Sequence, residues 1–344
     1  MSSSTSNFTI DPSDMSVQRI IAAWIFATTS LLGVIGNTMV IAAVVLSRQL
    51  QTTTNIFVVV LAVIDLLNCL LLPVQVVSLI GLSRSVSFDR VCVFAAVAMC
   101  LFMGVSVTIL ALIAYNRFYM ITKARTDYNR LYTRRKTAIM IAVSSFSVTC
   151  FNVVLAASGL AKFGLDEGIC SHVEGNSYSY TAGAWLVMCL VLIVICYVKI
   201  YQHVKRHLRR IGSEEHAESR GATNSPMEDT SKAPGVRDEP KPVKGEFAQR
   251  QRELESKITT NMLIIIVLFF LCVTPSIVIL FVPDDHEVSP MTVAIIAFNS
   301  CVNPIVYAWK HPVFRHVFKC IVTRNISEIK EPTKWARSLV LTKS

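Results

Sequence analysis

The chain has 344 residues, a net charge of +10, 53% hydrophobic residues and only 16% charged ones. A soluble domain carries roughly 25% charge, so this composition argues against one. The apolar excess is not spread evenly but gathers in blocks.

Residues 1–19 are polar and lack the basic start and apolar stretch of a cleavable signal, so the first block is expected to act as an uncleaved anchor. Asn7-Phe-Thr9 in this segment is a glycosylation sequon. Residues 20–46 then hold no charge, and residues 56–80 hold one, Asp65. Residues 91–115, 137–160, 180–198, 258–282 and 288–309 hold none. These are seven blocks, each near the roughly 20 residues that carry a helix across a ~30 Å hydrocarbon core. Lipid offers the backbone no hydrogen-bond partner, so every crossing is predicted to be helical. The expected fold is an all-α membrane protein, a seven-transmembrane helix bundle over residues 20–320.

Charge orients it. With the first crossing running outside to inside, the outer segments hold four basic residues, Arg19, Arg84, Arg90 and Lys162, and the inner ones hold the other 29 of 33. Leaving out the thirteen in the long third inner loop still leaves sixteen inside. The N-terminus is therefore expected outside and residues 321–344 form a cytoplasmic tail. The positive charge borders membrane helices, so it points to lipid rather than to nucleic acid. Residues 212–245 of the third inner loop are polar, with serines and prolines, and are expected to be disordered. Beyond the seventh crossing, Phe314, Val317 and Phe318 recur at helical spacing beside Cys320. That predicts a short amphipathic helix on the cytoplasmic membrane surface, with Cys320 a palmitoylation candidate or a plain reduced thiol. Asn325-Ile-Ser327 is a second sequon but lies inside, so it should stay unused. Ser327, Thr333, Ser338, Thr342 and Ser344 are tail positions open to phosphorylation.

Of the ten cysteines, seven fall within crossings, where a small packing residue is the plain reading. Cys92, at the outer start of the third crossing, and Cys170, in the second outer loop, face an oxidising compartment with no other outer cysteine to compete. A Cys92–Cys170 disulfide is expected to pin that loop over the mouth of the bundle.

Polar residues inside the crossings carry the functional signal. An ionisable group such as Asp65 at mid-membrane marks a functional site and needs partners. Ser106 on the third crossing and Asn299, Ser300 and Asn303 on the seventh are available, and Asn37 adds an amide on the first. Asn299 and Asn303 are four apart and share a face. Together they would form a polar pocket able to hold a small cation beside Asp65. Pro304 removes a backbone donor and kinks the seventh helix there. The plainer reading, amides gluing helices together, does not require a carboxylate.

Gly36-Asn37, Leu61-Ala-Val-Ile-Asp65, Cys92, Asn116-Arg117-Phe118, Phe269-Phe-Leu-Cys272 with Pro275, and Asn303-Pro-Ile-Val-Tyr307 resemble the motifs of rhodopsin-like G-protein-coupled receptors, in order, on the right crossings. The asparagine–arginine pair with a long inner loop loosely resembles the melatonin-receptor-like and related orphan group. The resemblance implies that Arg117 contacts a heterotrimeric G protein when active and that Glu255 holds it at rest. Tyr197 and Tyr307 would swing toward Arg117. Asp65, Ser106, Asn299, Ser300 and Asn303 match the family's sodium pocket, so Na+ is implied as an allosteric ion and no other cofactor. Arrestin and a receptor kinase are implied partners, and the plasma membrane is the implied location. The chain also departs from the pattern. Asn116 replaces the acid before the arginine, which would remove one restraint on Arg117. Val273 replaces the tryptophan two residues before Pro275, Cys189 the proline of the fifth crossing, and Ser145-Phe146 the tryptophan of the fourth.

Met99 stands where amine receptors place an aspartate, which marks the Met99 region for ligand binding and argues against a simple amine. No lysine on the seventh crossing allows a retinal Schiff base. Asp284, Asp285 and Glu287, with Asp166, Glu167 and Glu174, form an acidic outer rim that is either a lure for cations or an ordinary solvated surface. The expected function is a receptor that binds an extracellular ligand and activates a G protein. A receptor that engages only arrestin or scavenges is the first rival. A transporter or channel is the second, weakened because no basic residue lies within any block to line a charged path. An enzyme is not expected: there is no metal-ligand spacing, no acid pair and no nucleophile with a base.

Overall fold

A computed structural model describes residues 17–81, 86–174, 176–222, 267–275 and 290–341. Six of its helices are long and apolar enough to cross a membrane. They are α1 (Val17–Leu46), α2 (Thr53–Leu79), α3 (Val86–Thr122), α5 (Arg134–Ala157), the first part of α6 (Asn176–Ala222) and α8 (Pro290–Lys310). A further helical stretch, α7 over 267–275, falls within the sixth apolar block. A short helix, α4 (Arg125–Leu131), bridges α3 and α5. The helices bearing Trp24, Leu31, Phe94, Phe146 and Val154 turn these large apolar side chains outward. Such a surface is stable where hydrocarbon covers it and costly in water. The protein is a multi-pass membrane protein.

Local sequence sets the helix ends. The Thr52 hydroxyl accepts the Asn55 N–H at 3.3 Å to start α2, and Thr133 does the same for Lys136 at the start of α5. Close approach of α1 to its neighbours depends on two glycines. A Cβ at Gly36 would lie 2.7 Å from Pro304 Cβ, and one at Gly33 would collide with Cys69 Sγ. Between the helices, Phe57, Leu61, Ile109, Ile193 and Phe269 are fully buried and form the core.

Between α5 and α6 lies the one β-hairpin among the described residues. β1 (Lys162–Asp166) and β2 (Ile169–Glu174) form an antiparallel hairpin. Its two turn residues, Glu167 and Gly168, both have positive φ (47° and 84°), as the two-residue hairpin turn requires. Cys170 on β2 is disulfide-bonded to Cys92 on α3, as the sequence predicts.

Two outcomes differ from the sequence reading. Helix α6 runs on to Ala222, so residues 212–222 are helical although disorder is expected from Gly212. Glu214, Glu215, Ala217 and Glu218 are good helix formers, and they extend a helix already nucleated in the membrane, where each added residue gains a bond without a new nucleus. The tail also folds back. After α9 (Pro312–Val322) and a 3-10 turn (Ile326–Glu328), the chain returns to the end of α1. The Arg48 N–H donates to Glu331 O at 2.9 Å, and the Thr333 N–H to Leu46 O at 2.9 Å. Helix α10 (Lys334–Leu341) follows, with Ile329 and Ala336 buried.

Candidate functional site

Three sites lie along the bundle. At its middle, the Asp65 carboxylate on α2 accepts the Ser106 hydroxyl from α3 at 3.0 Å and the Asn303 amide from α8 at 3.0 Å. The Ser300 hydroxyl also reaches it. Asn37 on α1 donates to Gly33 O and Ser300 O, each at 2.9 Å. Asp65 is 1% exposed, and isolating a carboxylate so deeply costs several kcal/mol unless other groups compensate. The Ser106 and Asn303 donors compensate it here, with Ser300 close by. The side-chain oxygens of Asn37 and Asn303 are buried without partners, so the cluster has a surplus of acceptors. Asn299 is buried on the same helix, but no hydrogen bond joins it to Asp65 among the described residues.

Asn68 lies one turn after Asp65 and was not singled out in the sequence. Its amide nitrogen donates to Ser300 Oγ at 2.9 Å. The spacing of three from Asp65 puts both on one helix face, which is the signal that could have revealed it.

Above this cluster, beneath the hairpin, is a cavity of about 530 Å3. Met99 and Met103 of α3, Phe151 of α5, Leu186 of α6 and Ile296 of α8 line it. Val273 of α7 lines it too, at the position where the family resemblance leads one to expect tryptophan. Residues 170–172 of β2 roof it. Gln75 fastens this roof: its amide donates to Cys170 O at 2.7 Å, and its carbonyl accepts the Cys170 N–H at 2.8 Å. The same amide nitrogen lies 3.2 Å from Met99 Sδ. Gln75 is fully buried, and a lone glutamine on an apolar helix gives no hint of a backbone partner 95 residues away.

At the other end, Arg117 is 8% exposed and its Nε is buried without a hydrogen-bond partner. Tyr197, Tyr307 and Tyr128 lie within electrostatic range of its charge. Tyr197 and Tyr307 are buried. Phe118 packs against Tyr115, and Lys199 Nζ lies 5.7 Å over its ring. Asn116 is fully buried and joins three helices. Its carbonyl accepts the Thr54 hydroxyl at 3.2 Å and its amide donates to Tyr128 Oη at 3.3 Å. An amide has both a donor and an acceptor, and this triangle uses both.

Pro275 is the last described residue of α7, and Pro304 lies inside α8. Cys320 is 2% exposed, with its thiol 3.8 Å from His316 Nε2. Asn7, Glu255, Asp284, Asp285 and Glu287 lie outside the described residues.

Residues 36–307 match the family model described as 7 transmembrane receptor (rhodopsin family). The chain is 25% identical over 345 residues to the G-protein coupled receptor moody of Drosophila pseudoobscura pseudoobscura, covering 85% of this chain and 50% of that protein. It thus spans about half the length of that relative. It is 26% identical over 349 residues to the adenosine receptor A2a of Canis lupus familiaris, covering 91% of this chain and 75% of that one. The crystal structure of squid rhodopsin superposes with a TM-score of 0.71 at 17% identity, covering 94% of this chain and 92% of that one, which speaks for the fold. A family model that spans the bundle from Gly36 to Tyr307, on a fold shared with rhodopsin, places the chain in the rhodopsin family of seven-transmembrane receptors, which are receptors and not enzymes.

Proposed function

We propose that the chain is a plasma-membrane receptor that binds an extracellular ligand beneath the hairpin and activates a heterotrimeric G protein at its Arg117 end. One observation carries this reading: cavity, Asp65 cluster and Arg117 occupy successive levels of one bundle, with Asn68–Ser300–Asp65 joining the first two. A ligand that favours one arrangement of these helices shifts the population of the other end. The basic residues support the orientation, since 29 of 33 fall on the Arg117 side when the N-terminus is outside.

The Asp65 cluster suits a sodium ion. Asp65, Ser106, Ser300 and Asn303 supply oxygen donors, and the unpaired oxygens of Asn37 and Asn303 fit a cation better than another donor-poor group. Asn299 stands on the same helix. A bound ion would supply the positive charge that offsets the carboxylate, and the Asn37 and Asn303 side-chain oxygens would be available to hold it. Glu255, from the inner start of the sixth crossing, is the partner that restrains Arg117. Arrestin and a receptor kinase would act on the tail, a glycan would sit on Asn7, and a lipid on Cys320 would require α9 to release its buried thiol.

The test is GTP exchange on a panel of Gα subunits in membranes carrying wild type, Arg117→Ala or Glu255→Ala. Exchange raised by Glu255→Ala and abolished by Arg117→Ala establishes coupling. The second reading is a receptor that binds ligand without coupling to a G protein. Silence of all three at matched surface levels selects it.

A further inference from the structure

The tail segment that crosses the inner end of α1 carries residues that ligand binding and coupling do not use. Ser47 pairs with Pro332 in an isolated antiparallel bridge, and the Thr333 hydroxyl donates to Val45 O at 3.0 Å. These bonds hold the start of α10 level with the last turn of a membrane-crossing helix. Val45 is itself one of the apolar side chains that α1 turns outward. Helix α10 therefore begins where hydrocarbon gives way to headgroups.

Its two sides are unlike. Ala336 is fully buried, while Lys334, Trp335 and Arg337 are exposed, Trp335 at 55%. Eight residues make a helix that is marginal alone in water, where about 12–15 are needed. The Thr333 cap and Ala336 secure one side, and the other presents a large indole between two cations. An indole with one apolar and one wet neighbour is at home in a membrane interface. Two further tryptophans follow that rule. Trp24 is exposed near the outer start of α1, and Trp309 is exposed at the inner end of α8 with Lys310 Nζ 3.8 Å over its ring. Trp185 instead donates to Thr108 inside the bundle. Charge points the same way: residues 329–344 hold four basic residues, Lys330, Lys334, Arg337 and Lys343, against one acidic residue, Glu331. The cytoplasmic leaflet carries the complementary negative charge.

We propose that α10 lies on the cytoplasmic leaflet and binds anionic phospholipid, with Trp335 at headgroup depth and Lys334 and Arg337 against the lipid's charged groups. Lipid then covers the side of α10 that the receptor leaves open, and the short helix is held from both sides. The charge of the leaflet sets how often the tail leaves α1.

The test uses the full chain in nanodiscs of phosphatidylcholine alone or of phosphatidylcholine and phosphatidylserine in equal parts. Subtracting the emission of Trp335→Phe from that of wild type isolates Trp335. In anionic discs this signal should be quenched by phospholipid brominated near the top of its acyl chain and shielded from acrylamide in the water. Hydrogen exchange over residues 334–341 should be about tenfold or more slower in anionic discs than in neutral ones, since each basic residue near such a surface is worth about fivefold. High salt should remove most of that difference. So should Lys334→Gln with Arg337→Gln, two exposed positions that leave Ala336 and the Thr333 cap in place, with unchanged exchange in α3 showing that the variant is folded. A Trp335 signal quenched by acrylamide and untouched by brominated lipid overturns the proposal and turns α10 toward a cytosolic protein. Equal exchange in the two discs, or slowing that survives both salt and the double variant, overturns the anionic-lipid assignment. The measurement needs neither ligand nor G protein, so its failure leaves the coupling reading untouched.

Discussion

Single side chains set how closely the helices of this receptor approach, and one glycine shows the cost of changing that. A Cβ at Gly33 meets Cys69 Sγ on α2. Gly33→Ala should therefore destabilise by about 1–3 kcal/mol through overpacking, and adding Cys69→Ala should restore most of it, because the thiol is the clashing group. Thermal unfolding of the two variants in detergent reads this coupling. The Asp65 carboxylate is the second such position. If sodium binds there, replacing NaCl by an organic-cation salt should lower the melting temperature of wild type, with about 1.4 kcal/mol of stabilisation at roughly ten times the Kd. Asp65→Asn should be insensitive to the exchange. An equal sodium effect in the variant would remove the ion from this site. At Asn116, the amide serves Thr54 and Tyr128 together. Asn116→Leu loses both bonds and leaves the Thr54 and Tyr128 hydroxyls only each other, 3.3 Å apart, whereas Asn116→Asp puts an acid beside Arg117. Basal GTP exchange should fall in the aspartate variant relative to wild type.

Short elements beyond the seventh crossing show how a polar tail becomes structure. His311 caps α9, its Nδ1 accepting the Phe314 N–H at 3.4 Å. Burial, with the Arg117 charge adding to it, holds the His311 imidazole down at about 4, against 6.5 for a free ring. The folded state therefore prefers the neutral ring. Its contribution is full above the ordinary value and is lost as pH falls toward the depressed one. His311→Asn keeps a cap and removes the titration. Wild type should lose up to about 2 kcal/mol relative to this variant between roughly pH 7 and pH 5, read as a widening gap in melting temperature. The tail itself is held by Thr333, whose hydroxyl donates to Val45 O at 3.0 Å and accepts the Ala336 N–H at 3.2 Å to start α10. Thr333→Val should cost about 1 kcal/mol locally. Hydrogen exchange over residues 326–341 should accelerate in it, while exchange in α3 stays unchanged. Phosphorylation of this buried threonine requires the tail to lift first.

At the scale of the whole molecule, the hairpin roof is tied to the bundle twice, by the Cys92–Cys170 disulfide and by Gln75. Cys170→Ser removes the covalent tie and leaves the Gln75 bonds to the backbone. Stability should drop by about 2–4 kcal/mol, and Gln75→Leu in the same background should lower it further, since the two fasten one strand. The orientation is tested by epitope tags: one at the N-terminus should be accessible on intact cells, and one at the C-terminus only after permeabilisation. The reverse pattern would contradict the charge distribution that supports the proposed coupling face.

The seven apolar blocks alone predicted a helical membrane bundle, because lipid leaves the backbone no other way to satisfy its hydrogen bonds. The motif residues did the same for Asp65, Ser106 and Asn303, since a buried carboxylate must find donors and the motif amides offered them. The Cys92–Cys170 pair was legible by elimination among outer cysteines. Other features became visible only in three dimensions. Gln75 bonds a strand 95 residues away, Asn68 donates to Ser300 Oγ on another helix, and the tail docks on α1 largely through backbone atoms that leave no trace in side-chain pattern. Hydrophobic periodicity and charge are properties of a segment, so sequence determines them. Which polar atom remains without a partner depends on every neighbour at once, and only the tertiary structure decides that.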